Sequence, residues 1–215
     1  MVRIPVGQRR RELVAAAFTV IATRGLAATS ARAVVAEAGM SLASFHYAFT
    51  SREELLEVLI TEVTAGEQAA VLPQELAGKT LAELLVEGLT GYLEHLRADP
   101  SREQAMLELT QYAIRSHPEL AQHQYRRYQE IAAAALQLAA TETGTRWQVP
   151  LPTVARLLVH VTDGLTLTWL VDRDDAAARH AVAAAARALS ALAAPEPSPP
   201  GSPAATSPTP EPSQS

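Results

Sequence analysis

Residues 29–52 read TSARAVVAEAGMSLASFHYAFTSR, and no other stretch restricts the possible folds of the chain as much. Two segments of helical apolar spacing flank a single glycine, and each is too short to be stable without tertiary packing. The hydroxyl of Thr29 or Ser30 can accept a hydrogen bond from an orphan N–H and so cap the first segment. Val34, Val35 and Ala38 give that segment an apolar face. Gly39 falls where the chain must reverse direction through a left-handed conformation, and Met40 falls in the angle between the segments. Ser41 can cap the second segment, Leu42 to Ala48. Phe45 and Phe49, four residues apart, would pin it to a core. Leu42, Ala43, Ser44, His46 and Tyr47 are left on the outward side. This is the pattern of a helix-turn-helix. Small residues at the start of its second helix would let that helix lie close in a DNA major groove.

The charge distribution fits a nucleic-acid partner once the chain is divided. The net charge is −5, yet residues 1–52 carry seven basic and two acidic side chains, and residues 53–215 carry 11 and 21. Phosphate binding requires local positive charge, not a basic protein overall. There is no cysteine, so disulfides and thiolate metal sites are excluded. His117 and His123 match no common metal spacing, and no metal or cofactor is expected. No apolar run reaches the length of a membrane span. The first residues lack the apolar stretch of a signal peptide. A cytoplasmic protein without a membrane partner is expected.

From about Arg9 to Leu59 the chain resembles the DNA-binding domain of the tetracycline-repressor (TetR) family. The resemblance is carried by an opening helix (RRRELVAAAFTVIATRG), the Ala28–Thr29–Ser30 step and the Ala38–Gly39 turn. An aromatic-rich recognition helix follows, and then TSREELLEVL opens a fourth helix. The resemblance implies an all-α protein of about nine helices. A three-helix helix-turn-helix domain would occupy residues 1–52, and a helical effector-binding and dimerisation domain residues 53–194. It implies that Arg32, Leu42, Ala43, Ser44 and His46 approach base edges. Thr29, Ser30, Tyr47 and Arg52 are implied to bind or flank phosphates, with Ser41 at the helix start between the two groups. Leu42 stands where a polar residue is frequent in the family and Ala43 where glycine is common. Neither can hydrogen-bond a base through its side chain, so the half-site sequence is not readable here.

The rest of the chain reads as successive helices. Gly25 ends the first, and a fourth runs from Ser51 to about Leu72, before Pro73. Others are expected over Thr80–Ala98, Arg102–Ser116, Glu119–Glu142, Thr153–Asp172 and Asp174–Ala194, and no alternating strand pattern is evident. Residues 195–215 hold 8 of the 14 prolines and no large apolar side chain. Such a segment cannot bury enough surface to offset its ordering entropy, so a disordered tail is expected.

Aromatic and polar groups on apolar helices are the raw material of a ligand pocket. Tyr92, Met106, Gln111, Tyr112, Tyr125, Tyr128, Trp147, His160, Thr166 and Trp169 are the candidates. The last two helices are apolar or rich in small residues, which suits a four-helix dimer interface. Leu158, Leu165, Leu167, Val171, Ala185 and Leu189 are its candidate residues. The implied function is that of a ligand-responsive repressor. As a homodimer it would bind a pseudo-palindromic operator and be released by a small molecule. A helix-turn-helix protein without ligand control is the alternative, but the long helical remainder argues against it. An all-α enzyme is the other alternative. The sequence shows no nucleophile with a matched base and no glycine-rich phosphate loop, so catalysis is not expected.

Overall fold

The structure, a computed structural model, describes residues 6–66 and 76–196. Nine α-helices are present among them: α1 (Val6–Arg24), α2 (Ala31–Glu37), α3 (Leu42–Ala48), α4 (Arg52–Gly66), α5 (Leu81–Ala98), α6 (Pro100–Ser116), α7 (Pro118–Glu142), α8 (Leu151–Asp172) and α9 (Asp175–Ser190). A single 3-10 turn, Leu26–Ala28, joins α1 to α2.

Local chemistry sets the helix ends. Ser30 caps α2 by accepting from the Ala33 N–H, and Ser41 caps α3 by accepting from the Ser44 N–H. Between them Gly39 takes φ +63°, and the Met40 N–H returns to the Val35 carbonyl at 2.8 Å, a glycine-terminated helix end. Thr80 and Glu83 form a reciprocal capping box at α5. Prolines open α6 and α7 and sit in the first turn of α8, where the missing N–H costs nothing.

Two cores result. The first unites α1, α2, α3 and the start of α4 through Leu13, Ile21, Val34, Phe45, Phe49 and Leu56. It continues through Ile60, past the expected boundary at residue 52, and includes Ala105, Leu109 and Ala113 of α6. The second is built from α5, most of α7, α8 and α9, with Leu93, Leu136, Val154 and Val182 at its centre. Helix α6 therefore lies between the two halves of the molecule.

Three expectations change. A small antiparallel ribbon, absent from the sequence reading, pairs β1 (Thr145–Trp147) with β2 (Ala193–Pro195). Three-residue strands are too short to show an alternating pattern. Their pairing takes the last residues expected in α9, and also Pro195 and Glu196, which were expected in the tail. The Glu196 N–H donates to the Gly144 carbonyl at 2.8 Å. The rest of the expected tail, and the expected end of the fourth helix near Leu72, lie outside the described residues. Finally, among the described residues α8 is long and apolar enough to cross a membrane, with a mean hydropathy of 1.3, contrary to expectation. Its Val154, Leu158, Leu165 and Trp169 side chains are buried in the second core.

Candidate functional sites

Helix α3 presents an open face. Phe45 and Ala48 point inward, whereas Leu42, Ala43, His46 and Tyr47 are exposed. Tyr47 is 59% exposed, and the Arg9 guanidinium lies 5.3 Å from its ring centroid. Ser30 and Arg32 are also exposed at the start of α2. The Ser41 and Ser44 hydroxyls face each other at 3.1 Å, so Ser41 serves the cap before it serves any ligand.

The face is braced from behind. Arg10 donates to the Ala48 carbonyl at 2.7 Å and to Glu54 at 3.0 Å, with its guanidinium 4.4 Å from the Phe49 ring centroid. Glu54 also accepts from the N–H and the hydroxyl of Thr50, both at 2.8 Å. These bonds, the Thr50 N–H foremost and Arg10 after it, hold the Glu54 carboxyl below its ordinary range. The turn between α3 and α4 is thereby fixed.

Two residues implied to touch phosphate have other roles in the structure. Thr29 is only 1% exposed, and its hydroxyl donates to the Gly25 carbonyl. Arg52 turns inward and donates to the carbonyls of Thr29 and Leu26 at the 3-10 turn, the second of which also accepts the Thr29 N–H. A charge-assisted bond of this kind contributes about 1.5–3 kcal/mol. Arg52→Ala is therefore expected to lower the melting temperature of the first core, measured by thermal denaturation. Weaker DNA binding at unchanged stability would restore the phosphate role.

The second site is a cavity of about 120 Å³ between α5, α6, α7 and α8. Five of the ten expected pocket residues line it: Tyr92, Met106, Tyr125, Tyr128 and Thr166. The other five do not. Tyr112 packs against the first core beside His117. Trp147 lies on β1 and donates to the Leu136 carbonyl. Trp169 donates to Asp175 at 2.8 Å under the Arg173 guanidinium. Gln111 and His160 lie on exposed helix faces.

The lining also contains groups that the sequence reading missed, chiefly His95, Glu103, Thr110, Thr162 and Asp163. Their signal was helical spacing. Glu103, Met106 and Thr110 repeat along one stripe of α6, and Thr162, Asp163 and Thr166 along one of α8. Burial pushes the Glu103 carboxyl above its ordinary range, against the pull of His95 and Arg102. Burial raises Asp163 too, although it accepts from the Tyr125 hydroxyl at 3.1 Å. The Tyr125 hydroxyl is itself pushed up to about 12 by burial and by Asp163. Polar bonds among Thr110, Gln124 and Tyr128, and between Tyr92 and Thr166, order the walls.

Residues 13–59 match the model of the bacterial regulatory proteins of the tetR family. These residues thus carry the DNA-binding domain of the tetR family. The chain is a transcription regulator with a helix-turn-helix DNA-binding domain. Similarity extends along nearly the whole chain. The HTH-type nicotine-responsive transcriptional repressor HdnoR of Paenarthrobacter nicotinovorans is 26% identical over 176 residues, 80% of this chain and 89% of that one. The multidrug binding protein EbrR, solved with ethidium, superposes with a TM-score of 0.66 at 26% identity, covering 84% of this chain and 97% of its own. The TetR regulator TylP of Streptomyces fradiae shares the fold, with a TM-score of 0.63 at 20% identity and 89% coverage of each chain.

The candidate interface residues divide sharply. Leu167 and Val171 are 56% and 79% exposed on α8. Leu158, Leu165 and Leu189 are buried in the chain's own second core, so they are not available to a partner. Ala185 is half-buried against the same core. A helix that is apolar all round hides which apolar residues serve which side, and that is why these were misplaced.

Proposed function

We propose that this protein is a ligand-responsive repressor that binds a pseudo-palindromic operator as a homodimer and releases it when a small molecule enters the cavity. One observation carries the reading: α6 serves both halves of the molecule. Glu103, Met106, Leu107 and Thr110 line the cavity. Ala105, Leu109 and Ala113 of the same helix are buried in the first core, and the Glu108 carboxylate accepts from the Leu26 N–H at 2.5 Å. A ligand that displaces α6 would carry the turn before α2 with it. The cavity is close to the roughly 150 Å³ that holds one benzene ring.

Release requires that the ligand favour the conformation that binds DNA poorly, and operator DNA must then weaken ligand binding by the same factor. HdnoR is named as nicotine-responsive and EbrR was solved with ethidium, which supports a ligand-controlled reading. Dimerisation is supported by the exposed stripe of Leu157, Leu167 and Val171 on α8. The exposed alanines 177, 181, 184 and 188 on α9 would permit close helix approach.

Genome-wide mapping of binding sites would supply the operator, and a metabolite panel would then be scored for release of the protein from it. Metabolites that bind the cavity yet leave operator occupancy unchanged would refute ligand control. On the DNA side, Arg32→Ala is expected to cost about 1–3 kcal/mol at the operator and less on random DNA, the mark of a base contact. Equal loss on both sequences, in titrations at several salt concentrations, would reduce Arg32 to a phosphate contact.

A further inference from the structure

The cavity lining has a one-sided charge. Glu103 and Asp163 both line it, and the side chain of Glu103 is only 9% exposed. Neither lysine nor arginine is among the lining residues. Three basic groups act on the carboxyls: His95 and Arg102 on Glu103, and His160 on Asp163; of these only His95 lines the cavity, and its Nε2, 3.7 Å from Glu103, is too far for a hydrogen bond and makes no other. Asp163 has the Tyr125 hydroxyl as a partner, a neutral donor that cannot balance its charge. Three tyrosines, Tyr92, Tyr125 and Tyr128, also line the space, with the Tyr125 and Tyr128 rings edge-to-face at 5.6 Å.

Burying a carboxylate without a counter-charge is costly, and the cost falls when a cation arrives. Aromatic faces attract cations by their quadrupoles and strongly so when water is excluded. An anionic ligand would meet two carboxyls and no lysine or arginine. A neutral one would leave the electrostatic cost in place. Building on the ligand-responsive reading above, we infer that the effector is an aromatic or lipophilic cation whose positive charge is placed against the carboxyls of Asp163 and Glu103. The raised pKa directions of both carboxyls agree with sites that are strained until such a charge is present.

The test uses the full chain and three bicyclic probes of nearly equal shape: the cation N-methylquinolinium, neutral 1-naphthalenemethanol and the anion 1-naphthoate. Affinities are measured by calorimetry at pH 8. The cation is expected to bind at least tenfold tighter than either of the others. Asp163→Asn and Glu103→Gln, which preserve shape, should erase that preference, singly or together, while the affinity for the neutral probe holds. Ala132→Leu, which narrows the cavity from α7, should weaken all three probes.

Equal binding of the three probes, a preference for the anion, or a cation preference that survives both substitutions would overturn the charge assignment. So would probe binding that Ala132→Leu does not weaken, with circular dichroism confirming that the variant is folded. Ligand control itself is judged separately, by whether any metabolite releases the operator. A neutral metabolite that does so through this cavity would leave that reading standing and remove the cation.

Discussion

Phe45→Ala is expected to abolish operator binding while leaving the second core intact. Phe45 is almost wholly buried, packs at 5.7 Å against Phe49, and is the anchor that fixes the direction of α3. Truncating a buried phenylalanine costs about 3–5 kcal/mol, a large share of the roughly 5–15 kcal/mol that holds a domain together. Seven-residue helices cannot persist without such packing. Hydrogen exchange should show lost protection over α1–α3 and retained protection over α5, α8 and α9. Uniform loss of protection would mean that the two cores unfold as one unit, and wild-type operator affinity would show that α3 is not the recognition element.

The double substitution Leu167→Asp with Val171→Asp should yield monomers with at least a hundredfold weaker operator binding. Both positions are solvent-exposed in the single chain, so the charges cost nothing there. Between two copies they would be buried without partners and would repel their twins across the axis. Sedimentation equilibrium and a shift assay measure the two effects. A dimer of normal affinity would place the interface elsewhere. Monomers that still bind a full operator with normal affinity would break the link between dimerisation and recognition.

The sequence was most legible where short-range chemistry dictates structure. Ser30, Gly39, Ser41 and the Phe45–Phe49 pair act within a few residues of themselves, and the helix-turn-helix follows from them. The end of the first helix at Gly25 was legible for the same reason. Long-range partners were less so. Arg52 looked like a phosphate ligand because its true partners, two carbonyls of the 3-10 turn, are more than twenty residues away. Glu103 and Asp163 are absent from the expected pocket residues because a single sequence cannot show that four helices meet around them. Leu158 and Leu165 share a helix with Leu167 and Val171, and only the packing of α5, α7 and α9 assigns them to opposite sides.

The contact between Glu108 and the Gly25–Leu26 turn has a genetic consequence. Gly25 holds φ +80°, so backbone strain opposes a side chain there, and a Cβ would stand in contact with the Glu108 carboxylate at 3.5 Å. Neither residue belongs to the exposed DNA-facing surface or to the cavity lining. Alleles altered at either position should therefore still recognise both operator and inducer but fail to respond to one with the other. In a selection for clones that stay silent in the presence of inducer, such alleles should be recovered alongside cavity mutants, and inducer-binding assays on the purified proteins would separate the two classes.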